Sequence, residues 1–256
     1  MYSPFIIAGN WKMSGGRGQW ATLAREITQQ AQGLRVELAI FPPFIALPEV
    51  EAVLTGSATI ALGAQDVAFK DVVASTGEIS ASMLKGYGCQ YVLVGHSERR
   101  RDQHENNIMV AEKIRQCHLH RMTPIVCLGE TQAERAAGKA IEVIDLQFLD
   151  AIETLNISEP ADLVLAYEPV WAIGSGQTPT LDQLAEVFRF LRASLVAKYD
   201  EMGYDIRILY GGSVSPDNAT AYLDIQDLGG YLVGGAALKA SSFVAIAQAV
   251  QSYRKL

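Results

Sequence analysis

Eight short, almost continuously apolar runs recur along the chain, at residues 5–9, 36–41, 59–64, 91–94, 123–128, 163–167, 206–210 and 231–233. They are rich in Val, Ile and Leu and lack the polar alternation of a half-exposed sheet, so they predict parallel strands buried on both faces. Longer stretches between them, at 19–30, 107–116, 140–155, 181–198 and 242–253, carry apolar residues at helical spacing. Leu181, Leu184, Val187, Phe188 and Leu191 fall on one stripe and are expected to pack against the sheet. Repeated strand–helix alternation predicts an α/β chain, with either an open doubly wound sheet or a closed (β/α)8 barrel of eight parallel strands. No G-x-G-x-x-G follows the first run, and the polar residues of chemical interest trail several separate runs, which favours closure. The length of 256 residues suits one such barrel, and no linker or low-complexity tract interrupts it, so one catalytic domain is expected over 1–256.

Composition narrows the functions available. A net charge of −7 argues against a nucleic-acid partner, whose phosphates call for a basic face. No apolar run approaches the length of a membrane span, and Met1–Ile7 lacks the pattern of a signal peptide, so a cytoplasmic enzyme is the expectation. Cys89, Cys117 and Cys127 are odd in number and lack CxxC spacing, which points to small buried side chains rather than disulfides or a metal site. His104, His118 and His120 read as surface residues.

Three strand-like runs end in reactive groups: Lys12 beyond the first, His96 beyond the fourth and Glu168 beyond the sixth. A parallel barrel gathers such residues over one mouth, where strands end and loops begin. Glu168 precedes Pro169, which biases it to extended geometry and suits a general base on a stiff turn. His96 follows Gly95 and opens a helical turn whose free N–H groups disfavour a cationic ring, leaving a neutral imidazole to donate to a developing oxyanion. Lys12 can hold an anionic substrate, Asn10 can donate to its oxygen, and Glu98 is a candidate to orient Lys12. Glycine-rich stretches after the seventh and eighth runs (210–214 and 234–238) fall where barrels often bind phosphate on backbone N–H groups. Ile173-Gly174-Ser175-Gly176 supplies a flexible loop just beyond Glu168.

Taken together, Gly9-Asn10-Trp11-Lys12-Met13, Gly63-Ala64-Gln65, Thr76-Gly77-Glu78-Ile79-Ser80, Gly95-His96-Ser97-Glu98-Arg99-Arg100, Tyr167–Gly174 and Tyr210-Gly211-Gly212-Ser213-Val214 resemble the triosephosphate isomerase family over essentially the whole chain. The resemblance implies a TIM barrel that interconverts dihydroxyacetone phosphate and glyceraldehyde 3-phosphate in glycolysis and gluconeogenesis, with no cofactor or metal. It implies Glu168 as proton shuttle, His96 as neutral electrophile and Lys12 and Asn10 as substrate ligands, with Gly174, Ser213, Gly234 and Gly235 on the phosphate. The neutral ring and the closing lid are the family's own well-known features and are carried here as such. A homodimer with Thr76 at the tip of an interface loop is likewise implied, although the stretch 69–74 departs from the family pattern. A longer sugar phosphate, or a non-catalytic sugar-phosphate-binding barrel, is the competing reading.

The family commonly has Lys-Thr-Ala in the lid where this chain has Gln177-Thr178-Pro179. Pro179 has no N–H to offer Tyr210, so that latch is expected to be absent, with Ser213 reaching the Gly176 region in its place. Asp66 stands for an asparagine, adding a charge near the expected dimer contact, and Ala237 stands for a serine.

Overall fold

A computed structural model of the chain describes residues 5–56, 60–71, 74–153 and 155–255. Eight parallel strands close into a barrel in sequence order: β1 (Ile6–Asn10), β2 (Glu37–Phe41), β3 (Ile60–Ala64), β4 (Tyr91–Val94), β5 (Thr123–Leu128), β6 (Val164–Tyr167), β7 (Arg207–Gly212) and β8 (Leu228–Val233). Closure is made by β1 against β8, with Ile6 opposite Gly230 and Gly9 opposite Val233. The helices are α1 (Gln19–Gln30), α2 (Leu47–Leu54), α3 (Ala81–Gly86), α4 (Ser97–Asp102), α5 (Asn107–Leu119), α6 (Gln132–Ala136), α7 (Ala140–Ile152), α8 (Leu181–Tyr199) and α9 (Ala240–Arg254).

The strands are apolar on both faces because each face has its own core. Ile6, Ala8, Phe41, Leu93, Ile125, Ala166 and Leu209 fill the barrel interior. Their neighbours, such as Ile7, Leu38, Val92, Leu165 and Ile208, join the layer beneath the helices. Alternation therefore sorts residues between two hydrophobic compartments rather than between core and water. Interior space is shared closely: a Cβ on Gly63 would lie 2.2 Å from Cε1 of Phe41, so the glycine admits that ring. At the end of the barrel remote from the loops discussed below, Arg207 joins Glu37 (2.5 Å) and the Tyr91 hydroxyl (3.0 Å).

The structure revises several boundaries. β7 runs on through Gly211 and Gly212, and β8 begins at Leu228, ahead of the expected 231. Gly211 and Gly212, expected in the loop after the seventh run, are strand residues here, and a Cβ on Gly230 would sit 2.2 Å from the Ile6 carbonyl oxygen, so glycine permits the closure. The expected start of β3 at residue 59 lies outside the described residues. In α8, Leu184, Val187, Phe188 and Leu191 are buried as expected, but Leu181 is exposed, because it is the first helical residue after the Thr180 cap. The three cysteines are free and buried. His118 and His120 are half-buried rather than surface groups: His118 Nε2 lies 2.8 Å from the Asp162 carbonyl oxygen, and His120 Nε2 lies 2.8 Å from Asp71. No helix among the described residues is long and apolar enough to cross a membrane.

Candidate active site

The loops leaving the carboxyl ends of the strands enclose a cleft of about 470 Å³ lined by Asn10, Lys12, His96, Glu168, Gly174, Ser213, Gly234 and Gly235, among others. Residues separated by more than 200 positions in sequence therefore share one cavity. Among the residues expected to act, Glu98 stands behind this set and Thr76 stands apart from it, in an exposed turn beyond β3.

β1 delivers Asn10 and Lys12, and Lys12 adopts the left-handed backbone region with φ 51°, a conformation costly for a residue with a Cβ. Its neighbours impose that geometry. Asn10 Oδ1 accepts the Lys12 N–H (2.9 Å), while Gln65 Nε2 donates to the carbonyl oxygens of both Lys12 (2.9 Å) and Phe41 (2.8 Å). The ammonium group then meets Glu98 Oε1 at 2.5 Å, the contact that an orienting role for Glu98 requires.

His96 caps α4, and its Nδ1 accepts the Glu98 backbone N–H at 3.2 Å. Because Nδ1 is an acceptor, the ring proton sits on Nε2, which lies 3.2 Å from Glu168 Oε1. Burial drives the proton affinity of the ring down and the Glu168 carboxylate drives it up, the carboxylate prevailing. A second proton would nevertheless have to occupy Nδ1, already engaged by the amide. With Nδ1 engaged by the amide, Nε2 is the ring position that presents a proton to Glu168.

Glu168 is buried at the end of β6, its backbone N–H bonded to the Leu128 carbonyl (2.7 Å). Its Oε2 accepts the Ser97 N–H at 3.3 Å. Burial pushes this carboxyl's pKa up; His96, the Ser97 N–H and Lys12 pull it down, and the pull is the larger, so the group is an ionised base at neutral pH. Space for the side chain is made by Gly211, where a Cβ would stand 2.8 Å from Glu168 Cγ.

The loop following Glu168 is tied at its start. Glu130 Oε1 accepts hydrogen bonds from Arg135 Nε (2.6 Å), Trp171 Nε1 (2.8 Å) and the Tyr167 hydroxyl (3.2 Å), and Glu130 is wholly buried. Ser213 donates to the Ala172 carbonyl at 3.2 Å, meeting the loop nearer its start than the Gly176 region. At the far end Pro179 is buried and Thr180 and Gln183 form a reciprocal cap on α8. The Tyr210 hydroxyl is buried, and its ring packs against that of Tyr222 with centroids 4.9 Å apart.

Sequence reading missed Glu130, Gln65 and the Ser97 amide. Glu130 carried a usable signal, a carboxylate two residues beyond a strand run, but nothing in the sequence says that it points inward. Asp66 corrects another expectation: it is buried and paired with Lys113 (2.6 Å) and Arg99 (2.8 Å), so its charge faces the interior rather than a partner surface.

The triosephosphate isomerase family model matches residues 5–250. Triosephosphate isomerase of Ralstonia nicotianae is 44% identical over 246 residues, covering 96% of this chain and 98% of that protein. Triosephosphate isomerase of Moorella thermoacetica is 43% identical over 241 residues, covering 94% and 96%. The crystal structure of triosephosphate isomerase from Bartonella henselae matches with a TM-score of 0.88 and 34% identity, covering 98% of this chain and all of that one. By its closed eight-stranded barrel, the groups converging in its cleft and its likeness along nearly its whole length to these enzymes, the chain belongs to the triosephosphate isomerase family.

Proposed function

We propose that the chain interconverts dihydroxyacetone phosphate and D-glyceraldehyde 3-phosphate by proton transfer through an enediolate, acting in glycolysis and gluconeogenesis. The observation that carries this reading is the meeting of a carboxylate with an imidazole, Glu168 Oε1 to His96 Nε2 at 3.2 Å, in a cleft that also holds an ammonium group. A substrate entering between them replaces that contact. The carboxylate then removes a proton from carbon while Nε2–H donates to the neighbouring oxygen.

A carboxylate is too weak a base for a carbon acid unless the enediolate is stabilised, and that stabilisation falls to His96 with Lys12. Asn10 Oδ1 is taken by the Lys12 amide, so its NH2 group is the part that serves substrate. Gly174, Ser213, Gly234 and Gly235 hold the phosphate, Gly174 using a backbone φ of 68° that suits glycine. The phosphate end orients the substrate, and closure of the loop after Glu168 keeps water from the enediolate. The groups present need no organic cofactor or metal for these steps.

The chain works as one catalytic domain over 1–256, in the cytoplasm, and as a homodimer. Support for the dimer comes from Met13 (98% exposed), Ile45 (77%) and Met83 (57%), which leave apolar side chains in water on the segments that follow β1, β2 and β3; the exposed Thr76 turn also follows β3. Sedimentation of the native chain tests this, a monomer at micromolar concentration opposing it.

Catalysis is tested by a coupled assay on glyceraldehyde 3-phosphate with the native chain and Glu168→Gln. Turnover abolished to within a small residue in the variant is expected. A native chain that binds the substrate without turning it over would instead support a non-catalytic barrel.

A further inference from the structure

Arg100 lies outside the cleft, yet it brackets the residue that supplies the neutral ring. Its backbone N–H donates to the His96 carbonyl at 3.1 Å, and its Nε donates to the Gly95 carbonyl at 2.8 Å. The carbonyls on both sides of His96 are therefore held by one residue. Gly95 has a φ of 69°, and a Cβ there would lie 2.9 Å from Arg100 Nη2, so the turn before His96 is shaped around the guanidinium. The same group reaches further, with Nη2 3.5 Å from the Cys127 carbonyl at the end of β5 and Nη1 2.6 Å from Asn107 Oδ1.

Every one of these acceptors is neutral. Among the described residues no carboxylate comes within 4.0 Å of Arg100, whereas its neighbour Arg99 is paired with both Asp66 and Glu105. Asn107 passes the connection on to Asp150 through Nδ2 (2.8 Å). The carboxylates that act on Arg100 from farther away are Glu105, whose Oε1 is held by Arg99 and Lys113, and Glu168. A half-buried cation with only neutral ligands keeps its field for whatever charge lies nearby, and here that charge includes the proposed base.

Resting on the isomerase reading above, we propose that Arg100 is a positioning residue. Its guanidinium holds the Gly95 carbonyl ahead of His96 while its backbone N–H holds the His96 carbonyl behind, and its uncompensated charge favours the ionised form of Glu168 and the neutral form of His96. The groups facing Glu168 that share in this balance are His96, Lys12, the Ser97 N–H and the Cys127 thiol, while Glu105 acts on Cys127 and Arg100. A mere strand-end tie would be indifferent to charge.

Two variants separate the alternatives. Arg100→Lys keeps the charge but cannot span the Gly95, Cys127 and Asn107 acceptors. Arg100→Gln keeps a donor and removes the charge. For Arg100→Gln, kcat is expected to fall about tenfold or more with little change in KM, since a displaced His96 harms the reacting geometry. Its acid limb in kcat/KM against pH is expected to move upward by about half a unit, because loss of a nearby cation favours the protonated base. For Arg100→Lys, kcat falls while the acid limb stays in place.

Nitrogen-15 NMR of His96 in the unliganded protein provides a readout independent of turnover. Native protein is expected to show the Nε2–H tautomer, and Arg100→Gln should take up a second proton at higher pH than native protein. Folded variants with native kcat, native acid limb and native ring titration would overturn the proposal, as would a change confined to KM or melting temperature. If Arg100→Gln does not fold, undiminished kcat in Arg100→Lys overturns it alone. Absence of isomerase activity in the native chain would instead refute the function, leaving the ring titration to judge Arg100.

Discussion

Gly211→Ala offers a direct test of how closely the cleft is fitted around Glu168. Gly211 lies in β7, its φ is outside the left-handed region, and alanine is therefore acceptable to the backbone. The added methyl would meet Glu168 Cγ at 2.8 Å, Oε1 at 3.3 Å and Cδ at 3.5 Å. Carbon atoms rest about 3.5–4.0 Å apart, so Cγ must retreat by about 0.7 Å or more. The strand is fixed in the barrel by β6 and β8, and the side chain is the softer partner. A displacement approaching 1 Å at a reacting group is worth about a hundredfold in rate, or about 2.7 kcal/mol of activation free energy. Overpacking of a core position costs about 1–3 kcal/mol of stability, less where a side chain can turn away. Steady-state turnover of glyceraldehyde 3-phosphate, with a thermal melt of the same preparation, should show kcat falling far more than stability. Retention of kcat within about threefold would refute the view that Gly211 fixes the carboxylate, because that loss corresponds to only about 0.7 kcal/mol.

Trp171→Phe removes the indole N–H that Glu130 accepts at 2.8 Å, while Arg135 and Tyr167 remain on the carboxylate. A hydrogen bond to a buried charge is worth about 1.5–3 kcal/mol, so exchange of the loop after Glu168 should quicken in relaxation-dispersion NMR; unchanged exchange would show that this tether does not hold the loop. Asp66 supplies a pH test: burial first, then Glu105, raises its pKa from 3.8 to about 6 against the pull of Lys113 and Arg99. A carboxyl raised on folding takes up a proton, so its contribution is present below pH 3.8 and is lost as pH rises through about 6, a change on the order of 3 kcal/mol. Asp66→Asn lacks this loss, and its stability relative to native protein should increase between pH 4 and 7 in denaturant titrations; a constant difference would refute the assignment.

The barrel was legible in the sequence because of its burial. Strands covered on both faces must be apolar throughout, and runs such as Leu163–Tyr167 carry that requirement openly. Helix α1 shows its limits as clearly as any, since its apolar residues at 20, 24 and 27 repeat at helical spacing. Lys12, His96 and Glu168 were legible for a related reason: each follows a strand run, and parallel closure brings all strand ends to one mouth. Other features depended on contacts between segments remote in sequence. Gly211 and Gly230 stand in strands, and only the neighbouring Glu168 side chain and Ile6 carbonyl explain why glycine occupies these positions. Asp66 looks like a surface charge until Lys113, 47 positions later, is found against it. The sequence by itself determined which segments are strands and which residue types can react, because local periodicity and hydrophobicity are properties of neighbours along the chain. The tertiary structure decided which charges are paired, which ring nitrogen of His96 faces Glu168 and where Glu168 rests, because those depend on through-space distances that periodicity does not encode.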